Sequence, residues 1–285
     1  MGIERAFSRV ERGIDKERQS SEYLHPLIIE AEKKTRTIIE RDAIDPESFI
    51  DPYEESAVRA DIALAEKLRA KYETDEPHKK YADVMEGILY EQIELSNWFG
   101  EKAQTIKTSF YDDYVNHVDL IVEFEEASKT FSHLGLAIDV TFGTTAMYEK
   151  FEKIREEITN GKLTEVKYFE SANSRHKGIY KKLPRVVIGV EREHIIELAG
   201  IWLDPKRKNE FAKHPIQKVI LEEIASQLDQ FRIFSKMVRQ DDLVVIFERE
   251  LSVVRKILAE KQDIHAEEYT DDRVMGAIQQ QLKLF

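Results

Sequence analysis

Two short stretches of the chain each carry an aspartate where a buried strand leaves little room for charge. In VDLIVEF (118–124), Val118, Leu120, Val122 and Phe124 alternate onto one face, leaving Asp119, Ile121 and Glu123 on the other. In LAIDVTFG (136–143), Leu136, Ile138, Val140 and Phe142 share a face, with Ala137, Asp139 and Thr141 opposite. A buried carboxylate is costly unless charge or hydrogen bonds compensate it. If the two strands are neighbours, Asp119 and Asp139 project to the same side of one sheet, and each raises the other's proton affinity. A divalent cation removes that repulsion, and hard oxygen ligands of this kind suit Mg2+ or Mn2+.

Both strands need a scaffold, and the pattern around them supplies one. The polar turn EEASKT joins them at hairpin distance. GTTAMYEKFEKIREEITNG follows as a helix: Thr144 or Thr145 caps it, and Met147, Phe151, Ile154 and Ile158 form its stripe. Gly161 stands where a left-handed C-terminal cap belongs. Upstream, KYADVMEGILYEQIELSNW (80–98) reads as a mostly buried helix, and helices are expected at 22–42 and 54–72, separated by a break with two prolines. Downstream, strands are expected at 163–170 and 183–190, then helices near 192–203, 215–238, 243–261 and 270–283. The fold class expected is α/β (α+β), a sheet between helical flanks. We divide it into a helical region 1–78, a core 79–203 and a helical region 204–285.

Asp119, an intervening hairpin, then Asp139-Val140-Thr141 leading into a helix resembles the PD-(D/E)XK nuclease superfamily over residues 80 to 190. The resemblance implies a restriction-endonuclease-like mixed sheet with the order helix, three strands, helix, strand. It implies Asp119 and Asp139 as metal ligands, with Val140 contributing its backbone carbonyl. The activity implied is Mg2+- or Mn2+-dependent hydrolysis of nucleic acid, with DNA the expected substrate. Val118 replaces the motif's Pro, and Thr141 takes the position of its Lys; a threonine hydrogen-bonds water but brings no positive charge. Some members supply that Lys from a neighbouring element, and Lys150 flanks the inward stripe of the next helix, whereas Lys153 is expected further round toward solvent. Many members also use a Glu on the first helix. Glu91 falls in the gap of the stripe Tyr81, Val84, Ile88, Leu95 and Trp98, while Glu86 and Glu94 lie away from it; Met85, Leu89 and Ile93 form a competing stripe.

The net charge of -12, from 43 basic and 55 acidic residues, argues against a polybasic nucleic-acid binder. Nucleic acid would have to be held locally. SRHKGIYKKLPR (174–185) offers Arg175, Lys177, Lys181, Lys182 and Arg185 with no acid among them, and PKRKNEFAKHP (205–215) is a weaker second patch. The absence of cysteine excludes disulfides and thiolate metal sites and fits a cytoplasmic protein. No apolar run approaches a membrane span. The eight histidines include no H-x-x-x-H pair, and no phosphate-binding glycine loop or G-x-S-x-G elbow occurs. Two other classes stay open: a catalytically inactive module of this fold that binds nucleic acid or protein, and a helical protein whose flanks serve a homodimer or another partner.

Overall fold

The computed structural model describes residues 24–72, 77–126, 130–139, 145–266, 269 and 272–285. Helix α1 (Pro26–Asp42) begins with Pro in its first turn, where no amide is needed, and His25 Nδ1 accepts from Leu27 N at 3.3 Å. A 3-10 turn (Pro46–Phe49) leads to α2 (Glu55–Tyr72) and α3 (Pro77–Leu95). These are the three helices expected from the sequence, with ends shifted by a few residues.

Strand β1 (Ala103–Lys107) and helix α4 (Phe110–Asn116) were not expected. AQTIK carries Gln104 and Lys107 within five residues, so it lacks an apolar run. The helix is seven residues long, nucleated by Ser109, whose hydroxyl accepts from Asp112 N at 3.1 Å, and closed by His117 in a left-handed conformation. The expected hairpin is present: β2 (Leu120–Glu125) and β3 (Phe131–Asp139) pair antiparallel, with Leu120 opposite Leu136. Helix α5 (Thr145–Thr159) buries the anticipated stripe of Met147, Phe151, Ile154 and Ile158 and ends before Gly161 at φ +66°.

After α5 the chain forms β4 (Thr164–Glu170), β5 (Lys177–Leu183) and β6 (Arg185–Gly189). The basic segment 174–185 is therefore largely a strand, paired antiparallel with β4 in a separate two-stranded sheet. The main sheet has the order β1-β2-β3-β6; β1, β2 and β3 are antiparallel in turn, and β6 runs parallel to β3.

Helices α6 (Arg192–Leu203), α7 (Ile216–Met237), α8 (Asp241–Glu260) and α9 (Arg273–Leu282) complete the described chain. None of the described helices is long and apolar enough to cross a membrane. One hydrophobic cluster joins Ile28 of α1, Ile88 of α3, Leu136 of β3, Ile224 of α7 and Ile278 of α9, so both helical flanks share the core of the sheet. The outer edge of β6 is met by α7: Gln227 Oε1 accepts from Val187 N at 2.9 Å, and Gln227 Nε2 donates to Val187 O at 2.7 Å.

Gly87 sits where α3 packs closely against α1 and α6. A Cβ there would lie 2.5 Å from Thr35 Oγ1 on α1 and 2.9 Å from the Trp202 ring on α6. Gly87→Val is expected to lower stability by about 2–3 kcal/mol through overpacking, read as a shift in the urea midpoint.

Candidate functional site

Lys107, the last residue of β1, is buried at 2 % exposure. Its Nζ lies 2.9 Å from Glu86 Oε1 of α3 and 2.9 Å from Asp113 Oδ2 of α4, and donates to the backbone oxygen of Asp119 at 3.0 Å. The Thr108 hydroxyl donates to the same oxygen at 3.0 Å and to Val118 O at 2.6 Å. Asp119 therefore enters β2 with its backbone gripped by two neighbours, and its amide donates to Leu136 O at 3.0 Å.

A second buried cation holds the other side of this turn. Arg185, at 3 % exposure, donates through one guanidinium nitrogen to Asn116 O at 3.0 Å and to His117 O at 3.2 Å; its other terminal nitrogen lies 3.4 Å from Glu157 Oε1. This corrects the expectation that Arg185 belongs to an exposed phosphate-gripping patch. It anchors the residues just ahead of Asp119, whose charge reaches both cations.

The surroundings of Asp119 are crowded with acid. Burial pushes Asp83 up to about 7, with Lys79 opposing and Asp113, Glu32 and Asp119 adding repulsion. Burial also drives Glu86 upward, against the pull of Lys107 and with Asp113 and Asp119 adding to the rise. For Lys107, burial alone favours loss of the proton, but Asp113, Glu86 and Asp119 outweigh it and hold the ammonium charged. Glu86 is thus the acid of α3 that belongs to this cluster. Glu91, favoured from the helical stripe, sits elsewhere: Trp202 Nε1 donates to its Oε2 at 2.6 Å, and Lys34 Nζ lies 3.1 Å from the same atom.

The β2–β3 register begins with Leu120 opposite Leu136, and Asp119 stands just before it with its amide also on Leu136 O, while Asp139 closes β3 three residues beyond Leu136. Asp139 also pairs with Gly189 of β6. Its side chain, and Val140 and Thr141 entirely, lie outside the described residues. Among the described residues no group of three or more His, Asp or Glu side chains stands ready to hold a metal ion.

Lys150 and Lys153 of α5 approach the same region. His117, two residues before Asp119, is pushed down to about 4 by burial and then by Lys153, Arg185 and Lys150. Lys153 is partly buried rather than turned to solvent, and burial followed by the nearby Arg185 lowers its own proton affinity.

Glu123, on the strand face left by the apolar alternation of VDLIVEF, is fully buried. It accepts from Ser171 Oγ at 2.6 Å, from Asn173 N at 2.9 Å and from Asn173 Nδ2 at 2.8 Å, and it lies 2.7 Å from His133 Nε2. His133 Nδ1 is 3.1 Å from the Tyr180 hydroxyl. These contacts tie the β4–β5 hairpin to the main sheet. On that hairpin, Arg175, Lys177, Lys181 and Lys182 are exposed. Lys177 lies 2.9 Å from Glu170 Oε2 and 4.5 Å from the centre of the Phe49 ring, while Lys182 lies 3.6 Å from Asp242. In the second patch, Arg207 pairs with Glu210 at 2.7 Å.

No protein-family model, curated protein or solved structure matches the chain.

Lys107→Met removes a buried ammonium from among three carboxyl-bearing neighbours. Loss of one partner from a buried ion pair costs about 3–5 kcal/mol. Without the cation these acids bind protons more tightly in the native state than in the unfolded chain, so the loss grows as pH rises above the ordinary carboxylate range. Urea titrations at pH 5 and pH 8 are expected to give the larger destabilisation at pH 8.

Proposed function

We propose that the chain is a metal-dependent nuclease that hydrolyses phosphodiester bonds of DNA on a restriction-endonuclease-like core. The observation that carries this reading is the strand arrangement with its acids. Helix α3 precedes three antiparallel strands, α5 follows β3, and β6 returns parallel beside β3. That succession, with the short α4 between β1 and β2, is similar to the helix, three strands, helix, strand order expected of the PD-(D/E)XK core, and Asp119 just ahead of β2 and Asp139 at the close of β3 lie at the same end of the hairpin. The separate β4–β5 hairpin is an insertion within it.

The residues fit a hard divalent cation. Their donors are all oxygen, and the proton affinities of Asp83 and Glu86, raised first by burial, are raised further by Asp113 and Asp119. Asp119 and Asp139, with the carbonyl of Val140, would hold Mg2+ or Mn2+. When bound, such an ion activates water and offsets charge on the phosphate.

The chain's own contribution is positional. Lys107 and Thr108 fix the backbone of Asp119, and Arg185 fixes the turn before it. Lys150 supplies the positive charge that Thr141 lacks, steadying the attacking water and the phosphate; its charge is felt by His117, two residues before Asp119. Lys153 is the neighbouring alternative. A non-catalytic module that binds nucleic acid or protein is the second reading, favoured by Thr141 at the motif's Lys position.

Incubation of supercoiled plasmid with Mg2+ or Mn2+ tests the proposal. The wild-type protein is expected to nick or linearise DNA, and Asp119→Ala and Asp139→Ala to fall to background. Cleavage by all three proteins, or by none, counts against catalysis. Lys150→Ala is expected to slow cutting by about 100-fold or more; an unchanged rate together with a slow Lys153→Ala would transfer the role to Lys153.

A further inference from the structure

A second cluster of titratable groups lies where α6, a 3-10 turn (Lys208–Lys213) and the start of α7 meet, and none of it belongs to the proposed catalytic set. His214 sits at its centre, buried at 5 % exposure. Its Nδ1 accepts from Ile216 N in the first turn of α7 at 3.3 Å, and its backbone oxygen accepts from Gln217 Nε2 at 3.0 Å. A ring nitrogen accepts only while it carries no proton, so neutral His214 holds its proton on Nε2. That buried Nε2 has no hydrogen-bond partner: Glu197 Oε1 of α6 stands 3.6 Å away, beyond hydrogen-bond distance.

Glu197 is held by Tyr269 instead. The Tyr269 hydroxyl lies 3.1 Å from each carboxylate oxygen, and its ring centre is 4.8 Å from that of His194 and 5.6 Å from that of His214. The titratable groups facing His214 are thus Glu197 and His194 of α6, Glu210 of the 3-10 turn and Tyr269 ahead of α9. Burial disfavours a charged imidazole, Glu197 and Glu210 oppose that, His194 adds to it, and the net effect lowers the proton affinity of His214. The positive end of α7 acts in the same sense as burial. Protonation sets Nδ1–H against Ile216 N–H, two donors with no acceptor between them. It also gives Nε2–H a charge-assisted attraction to Glu197, where the Tyr269 hydroxyl already sits.

We propose that His214 is a proton-operated latch: neutral, it secures the first turn of α7; protonated, it releases Ile216 and takes Glu197 from Tyr269. Acid thereby loosens the joint between α6, α7 and Tyr269. The latch does not depend on the nuclease reading. Because the native proton affinity is lowered, the stability contributed by neutral His214 is fully present above the ordinary His range, near about 6.5, and is lost as pH falls below it.

Long-range 1H–15N NMR of the imidazoles, with amide exchange at Ile216 corrected for its intrinsic pH dependence, follows the full chain from about pH 8 to about pH 5. The wild-type protein is expected to show the Nε2–H tautomer at the alkaline end and to protonate His214 below the ordinary range. In the same step Ile216 is expected to lose protection by about tenfold or more, the scale of one hydrogen bond. His214→Asn, whose side-chain oxygen replaces Nδ1 two residues before Ile216, is expected to fold and to keep that protection throughout. Glu197→Gln is expected to move the protonation step to lower pH. An Nδ1–H tautomer at the alkaline end, protonation at or above the ordinary value, or unchanged Ile216 protection while His214 protonates would overturn the latch. Loss of protection by His214→Asn over the same range would overturn it as well.

Discussion

A single buried ammonium organises the end of the sheet on which the functional reading depends. Placing Lys107 at the close of β1 costs several kcal/mol of lost hydration, which only well-placed oxygens offset. Those oxygens come from α3, α4 and the first residue ahead of β2. Four elements are thereby tied to one atom, and a residue that leaves any of them loses more than a surface contact. Arg185 repeats the device from β6, binding the carbonyls that close α4. Asp119 stands between these two cations, which hold its position while the acids around it raise the local demand for positive charge.

The sequence made some of this legible and hid the rest for physical reasons. Met147, Phe151, Ile154 and Ile158 announce α5 because a helix against a sheet needs one continuous apolar stripe, and all four are buried. The pairing of β2 with β3 was readable from their alternation and short turn. Strand β1 was not, because its key residue is a lysine: Lys107 is paid for by partners distant in sequence, which no local pattern reveals. The choice between Glu86 and Glu91 failed similarly. Helix α3 is apolar over so wide an arc that two stripes compete, and only the neighbouring strands decide which acid meets Lys107. Val140 and Thr141 lie outside the described residues, so the second half of the motif stands as read from the sequence.

Segment 163–190 adds a different lesson. KGIYKKL looks like a solvated basic loop because its lysines project outward, yet Leu183 and the half-buried Tyr180 pack beneath it. What secures the hairpin is polar. Burial of Glu123 would favour protonation, but His133, Ser171 and Asn173 stabilise its charged form strongly enough to bring the net proton affinity below the usual value. The strands therefore combine apolar packing on one face with a satisfied polar network on the other, a division that simple alternation detects but cannot interpret.

Gln227 carries a consequence beyond its two hydrogen bonds. By offering both an acceptor and a donor to Val187, its amide imitates the backbone of one more strand and terminates the ladder at β6. A sheet margin occupied in this way is unavailable to a foreign peptide or a sister molecule seeking to extend it, so fibre-like growth through that side is blocked by a side chain. It also makes α7 an integral wall of the sheet: severing the C-terminal helices would lay bare a sticky seam instead of trimming an appendage.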